Sequence, residues 1–313
     1  MLVAVTGASG FVGGRVVQHL RDAGFSVRAI SRTVGNREKG VESAILPHPA
    51  ASLYEFDRVL DGVDHVVHGA GLTNASAETP ESEFMRANAE LTARFAEAAA
   101  RGVGGQFLLM SSIRAVAGAG FDGILTSETP AKPTCAYGRS KRVAELAALT
   151  HFPDSSASRL SILRLPPVYG AGMKGNLARM LHLADTPYPL PFGALRNRRS
   201  LLSVEALAAA VVDLLQMTQT RQVYLPGDRD PVSTAEIFTA FRAGLGRPER
   251  LLPVPASLLK TAARLAGRSE GWQGLFAEQI CDSSALAEDG WRRTENPRPG
   301  LTQVARDFRR SRS

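Results

Sequence analysis

A short apolar run at residues 2–5 stops at Thr6-Gly7-Ala8-Ser9-Gly10-Phe11-Val12-Gly13, after which Val16, Val17 and Leu20 recur at the spacing of one helical face. That pattern predicts a strand, a glycine turn and a helix. Similar apolar runs at 26–30, 65–68, 106–110 and 160–165 predict further strands. An alanine-rich helical stretch covers 83–100, and another helix begins near Tyr137. Alternation of strand and helix implies parallel neighbours joined by helical crossovers, hence a doubly wound α/β sheet covered on both faces. A Rossmann-type dinucleotide-binding domain is therefore expected over 1–165. Beyond it Pro166, Pro167, Pro187, Pro189 and Pro191 punctuate the chain, and helical patterns recur at 204–217 and 234–245. This texture predicts a smaller C-terminal substrate lobe over 166–313, interleaved with the sheet, which also takes up about 199–226.

Composition narrows the class. Among 313 residues, 44% are hydrophobic and 21% charged, which fits a globular chain and not a disordered, collagenous or coiled-coil one. No window approaches 18 uninterrupted apolar residues and no cleavable leader precedes the first strand, so a cytoplasmic location without a membrane span is expected. The two cysteines, Cys135 and Cys281, are read as free thiols of a reducing compartment, with Cys135 a packed small residue. His65 and His68 flank an apolar strand with no third ligand at suitable spacing. Packing or a backbone hydrogen bond is expected of them, and no metal. The net charge of +7 is concentrated toward residues 292–312 without interleaved aromatics or a nucleic-acid module. It is read as a solvated basic surface that also attracts polyanionic substrates, not as a nucleic-acid interface.

The glycine turn carries the first candidate chemistry. Glycines 7, 10 and 13, set between a strand and a helix, let backbone approach a pyrophosphate while the helix N-terminus offers free N–H groups. The end of the second strand should choose the dinucleotide. An acid there would hold the ribose hydroxyls of NAD, but Ser31 and Arg32 occupy the place and suit a 2′-phosphate. NADP is therefore expected ahead of NAD.

Tyr137 and Lys141 stand four residues apart at the start of a helix, on one face. Bringing a phenol from a pKa near 10 to about 7 needs roughly 4 kcal/mol, which one ammonium about 4 Å away supplies at an effective dielectric near 20. Lys141 is thus expected to tune Tyr137 as a general acid or base. Ser112, closing a strand at the carboxyl edge of the sheet, is placed to hydrogen-bond the reacting oxygen.

Together the stretches TGASGFVG, SSIRAVAG and YGRSK resemble the extended short-chain dehydrogenases, also called the NAD-dependent epimerase/dehydratase family, and the likeness spans nearly the whole chain. The resemblance implies a catalytic set of Ser112, Tyr137, Lys141 and the ordering residue Asn88. It implies cofactor contacts from Gly7, Ser9, Gly10, Phe11, Val12, Gly13, Ser31, Arg32, Ala70, Tyr137, Lys141 and Pro166. LRLPPVYGAGMKGN and PLPFGALRNRRSLLSV resemble the nucleotide-sugar branch, in which Asn176 and Arg199 would bind the diphosphate, with Arg196 and Arg198 as alternatives for the arginine. Ser112 and Arg114 complete the expected substrate contacts. The overall texture is similar to bacterial UDP-N-acetylhexosamine enzymes acting at carbon 4, and a homodimer is implied. Two departures stand out: Pro47-His48-Pro49 where an acid usually meets adenine, and Ile113-Arg114-Ala115 where dehydratases carry Asp-Glu. The second argues against water elimination.

The leading expectation is hydride transfer at carbon 4 of a UDP-linked sugar, by reduction of a 4-keto sugar or by 4-epimerisation. Two rivals stay open. SSIRAVAG also resembles 3β-hydroxysteroid dehydrogenases, which reduce apolar carbonyls, and the same fold serves non-catalytic NADP sensors.

Overall fold

The computed structural model describes residues 1–33, 40–73, 76, 78–153, 160–217, 222–265, 274–291 and 296–312. Part of the basic tail, residues 292–295, lies outside them. Strand β1 (Leu2–Thr6) runs into helix α1 (Phe11–Asp22), followed by β2 (Ser26–Ser31), β3 (Val41–Ile45), α2 (Leu53–Leu60) and β4 (His65–His68). The alanine-rich stretch is helical but changes register inside: α3 (Glu81–Phe84) passes through a π-helical segment (Met85–Glu90) into α4 (Leu91–Gly102). Strand β5 (Phe107–Ser112) leads by a 3-10 turn (Ile113–Ala115) and β6 (Gly123–Leu125) to α5 (Ala136–His151) and β7 (Leu160–Leu165).

The later elements are β8 (Val168–Tyr169), α6 (Gly175–Ala184), β9 (Arg198–Arg199), β10 (Leu202–Ser203), α7 (Val204–Gln216), β11 (Val223–Tyr224) and β12 (Val232–Ser233). They are followed by α8 (Thr234–Leu245), α9 (Ala256–Leu265), β13 (Gln279–Cys281), α10 (Ser284–Glu288) and α11 (Pro297–Arg310).

Seven parallel strands form the main sheet in the order β3-β2-β1-β4-β5-β7-β11. Every residue of β4 and β5 is buried, as a sheet covered on both faces demands. Alternation along β1 divides the core: Val3 and Val5 pack with Val16, Leu20 and Leu207 on one face, Ala4 with Phe56, Phe95 and Phe107 on the other. Chain order reverses between β1 and β4, and the carboxyl edge at such a reversal is where open sheets of this kind bind ligands.

Of the stretch at 199–226, Val223–Tyr224 joins the main sheet beside β7 and α7 packs on α1, whereas Arg198–Arg199 belongs to a small sheet ordered β12-β9-β13-β6. A separate apolar cluster, with Phe192 stacked on Phe238 at 4.7 Å, holds α6, α8 and α11 together. Among the described residues, no helix is long and apolar enough to cross a membrane.

Candidate active site

The crevice is built from β1 outward. Gly7 adopts φ +72°, and a Cβ there would stand 2.8 Å from the carbonyl carbon of Gly69; at Gly13 it would stand 2.1 Å from the Gly7 oxygen. Both positions therefore require glycine, because the turn is drawn within backbone contact of the segment after β4 on one side and of α1 on the other. Gly10 caps α1 without a side chain and the first turn holds no acid, so the helix N-terminus keeps its attraction for an anion. Ser9 and Gly10 are exposed at this lip, and Phe11 and Val12 half-buried. Gly7, Gly10 and Gly13 thus form a cradle that side chains would fill, and it fits a dinucleotide pyrophosphate.

A buried polar chain seats β4 beside that turn. Thr6 Oγ1 accepts from the backbone N–H groups of Gly69 (3.1 Å) and Ala70 (3.0 Å). Its own proton then goes to His68 Nδ1, 2.8 Å away, which leaves His68 Nε2–H to donate to Thr92 Oγ1 at 3.1 Å. Burial, with Lys141 nearby, pushes the His68 imidazole down to about 3, so it is neutral. His65 Nδ1 accepts from the Gln106 backbone at 3.0 Å, the structural role expected of it. Among the described residues no group of His, Cys, Asp and Glu could hold a metal ion.

At the end of β2, the buried Ser31 turns its hydroxyl to the Thr33 carbonyl at 2.6 Å, while Arg32 is exposed. Arg32 is thus an exposed cation at this edge of the sheet. Pro166 is buried just past Leu165, the residue in register with Ser112.

Ser112 ends β5, accepts the Arg114 backbone N–H at 3.2 Å, and lies near enough to the Tyr137 phenol for its hydroxyl to favour the ionised form. Helix α5 lies close enough for this because Gly138 lacks a Cβ, which would meet the Arg114 carbonyl oxygen at 2.3 Å. Cys135 is exposed rather than packed: as N-cap of α5 it accepts the Gly138 N–H at 3.4 Å, and a cap must face outward from the helix start. Burial pushes the Tyr137 phenol up to about 12, opposed by the Ser112 hydroxyl and the Arg114 charge.

The expected ammonium–phenol pairing needs correction. Lys141 Nζ donates to the Met110 carbonyl of β5 at 2.9 Å, and Arg114, not Lys141, is the cation acting on Tyr137. A desolvated ammonium takes the nearest strong acceptor, here a strand carbonyl beneath the helix, and burial pushes it down to about 8. Lys141 still borders the crevice, because a Cβ on Gly71 would come within 3.5 Å of its nitrogen.

Asn88 sits buried in the π-helical segment with its amide fully used: Oδ1 accepts the Leu72 N–H at 2.7 Å, and Nδ2 donates to Leu72 O (3.0 Å) and Ser140 Oγ (2.8 Å). It ties the loop after β4 to α5, and the π register offers its freed carbonyl to Thr92 at 2.5 Å.

Glu145, outside the expected set, anchors the same helix from below. It accepts from Ser111 Oγ at 2.6 Å, from Arg164 at 3.1 and 3.0 Å and from Arg142 at 3.0 Å. The signal was present in the sequence as a carboxylate one further turn along the Tyr137–Lys141 face.

On the substrate side the arginines separate. Arg196 and Arg198 are exposed, with Arg198 bound to the Pro231 carbonyl at 2.7 Å. Arg199 turns inward, donating to the carbonyls of Gly274 and Ala277. Burial and the Arg114 charge push it down to about 10. Arg114 donates to Gln279 Oε1 at 3.1 Å, and Gln279 is a residue that no local motif signals. Asn176 is exposed in the first turn of α6. A cavity of about 850 Å³ opens beside Cys135, lined by Val116, Ala117, Phe121, Pro130 and Lys132. A second, of about 630 Å³, lies among Arg196, Glu236, Glu249 and Arg298, away from the glycine turn.

Comparison with known proteins gives a consistent neighbourhood. The model of the NAD dependent epimerase/dehydratase family matches residues 3–225. A UDP-glucose 4-epimerase of Vibrio cholerae is 30% identical over 98% of this chain and 95% of its own. A ceramide reductase of Caulobacter vibrioides is 29% identical over 88% of this chain and 79% of its own. Among solved structures, MoeE5 in complex with UDP-glucose and NAD superimposes with a TM-score of 0.76 at 24% identity, covering all of both chains.

Proposed function

We propose, from the premise that the chain belongs to the NAD dependent epimerase/dehydratase family, that it transfers hydride between a nicotinamide dinucleotide and carbon 4 of a UDP-linked sugar. The observation that carries this reading is the Ser112 hydroxyl set beside the Tyr137 phenol at the carboxyl edge of β5, one strand from the glycine cradle. The bound dinucleotide supplies or accepts the hydride. Gly7, Gly10 and Gly13, with the start of α1, hold its pyrophosphate, and Arg32 faces a 2′-phosphate, which favours NADP over NAD. Ser9, Phe11, Val12, Ala70 and Pro166 line the approach, and Lys141 supplies donors toward the ribose.

With the phenol pushed up to about 12, Tyr137 is protonated at neutral pH and acts as the acid. It gives its proton to the sugar oxygen that gains negative charge as hydride arrives, while the Ser112 hydroxyl fixes that oxygen. Release of oxidised cofactor at each turn suits NADP and reduction of a 4-keto sugar, whereas 4-epimerisation retains its bound NAD, and the assay below separates the two. Asn176 and Arg199 are assigned to the diphosphate. The exposed Val143 and Leu146 on α5 form the face we assign to a homodimer.

The test is loss of NADPH absorbance with UDP-4-keto sugars, alongside interconversion of UDP-glucose and UDP-galactose. Tyr137→Phe should lower turnover about 10²- to 10⁴-fold with cofactor binding intact. Absence of both activities with NADPH still bound defeats the proposal and returns the sensor reading, and a fully active Tyr137→Phe protein removes Tyr137 from the role of acid. The apolar walls of the cavity beside Cys135 favour one second reading, reduction of an apolar ketone. Thermal shift by such a ketone with none by UDP would select it.

A further inference from the structure

Two guanidinium groups meet between the reacting couple and the small sheet. Arg114 is two residues past Ser112, and its Nη2 donates to Gln279 Oε1 at 3.1 Å. Gln279 is itself aimed, since its Nε2 donates to the carbonyls of Gly118 (2.9 Å) and Ala119 (3.4 Å), which turns its oxygen toward Arg114. In the strand register Gln279 lies opposite Arg199, so the three side chains share one place. Arg114 Nη1 and Arg199 Nε are both buried and without an acceptor. Only amide and carbonyl oxygens serve their other donors, and among the described residues no carboxylate pairs with either arginine. Two like charges held together in a dry place, each with an orphan N–H, are costly to the free protein unless an anion completes them.

We propose that Arg114, aimed by Gln279, is a second anion-binding residue of the substrate site and closes with Arg199 on an oxyanion group of the substrate beside Tyr137. The inference rests on the nucleotide-sugar reading above and adds a requirement to it: the substrate must present negative charge at this point. Two sources share that chemistry, the diphosphate and a carboxylate on the sugar. The planar fork of arginine suits either.

Calorimetric titration of the wild type, Arg114→Gln, Arg114→Lys and Gln279→Met with UDP, UDP-glucose, UDP-glucuronic acid and inorganic pyrophosphate tests it, with NADPH binding as the measure of intact fold. Arg114→Gln should weaken binding at least about tenfold, Arg114→Lys less, and Gln279→Met in between, because the last keeps the charge and removes only its aim. Loss felt equally by UDP and both sugars assigns the group to the diphosphate; loss confined to UDP-glucuronic acid assigns it to a sugar carboxylate. If Arg114→Gln loses NADPH binding as well, Gln279→Met carries the comparison. Affinity for UDP and for both UDP-sugars unchanged in Arg114→Gln and Gln279→Met overturns the inference and leaves the nucleotide-sugar reading standing. Binding of pyrophosphate that depends on Arg114, with no preference for UDP, does the reverse. Binding of neither overturns both.

Discussion

Replacing Arg164 by Met should loosen the catalytic helix from beneath. Glu145 is wholly buried and Arg164 is 5% accessible, and their two hydrogen bonds join α5 to β7. Removing the guanidinium leaves a buried carboxylate whose other partners are Ser111 and Arg142. Breaking one side of such a pair costs about 3–5 kcal/mol, and the surviving Arg142 contact puts the expectation near about 3. At roughly 2–3 °C per kcal/mol for a chain of this size, the melting temperature should fall by about 6–9 °C. The double variant Glu145→Leu/Arg164→Met should recover all but about 1 kcal/mol, the cost of the orphaned Ser111 hydroxyl, because the one charge left without its partner, Arg142, is 29% accessible and reaches water. Calorimetric melts of the three proteins check this, with turnover of the single variant falling as Tyr137 loses its support. A single variant melting within about 2 °C of the wild type, or a double variant no better than the single, would refute the view that this pair holds α5.

Gly13→Ala should weaken NADPH binding more than tenfold by fluorescence titration, since its methyl would stand 2.1 Å from the Gly7 oxygen and force the turn open; an unchanged dissociation constant counts against the cradle. Lys141 sits at about 8 when folded against an ordinary 10.5, so between those values the unfolded chain binds more protons and the wild type gains stability as pH rises. That gain is about 3 kcal/mol at most, and Lys141→Met should lack it while being the more stable protein near neutrality. Urea midpoints at pH 7.5 and just below 10, before the Tyr137 window opens, separate the two, and parallel curves would contradict the burial argument. Arg32→Ala should weaken NADPH roughly tenfold and leave NADH unaffected, because only the former carries the 2′-phosphate; equal loss for both would return Arg32 to the loop surface.

Much of the fold was legible from periodicity. Residues 65–68 and 160–165 are strands where apolar runs placed them, and the glycine turn opens α1 because Gly13 is required by local approach to the Gly7 backbone and Gly7 by its positive φ. The helix over 83–100 was foreseen, but not its π register at Asn88, since a side chain bridging to Leu72 and Ser140 depends on two other segments. Cys135 looked like packing and proved to be a cap, a role set by where α5 starts against the turn after β5.

Local spacing determined which residues can share a face, so Tyr137 and Lys141 belonged together on α5 before any coordinates, with Ser112 at a strand end. Tertiary structure decided what each group touches. It sent the Lys141 ammonium to the Met110 carbonyl instead of the phenol, and it brought Arg114 to Gln279 across 165 residues of chain. The physical reason is range: helix and strand periods act over a few residues, whereas a buried charge settles on the best acceptor that packing delivers, from wherever in the chain it comes.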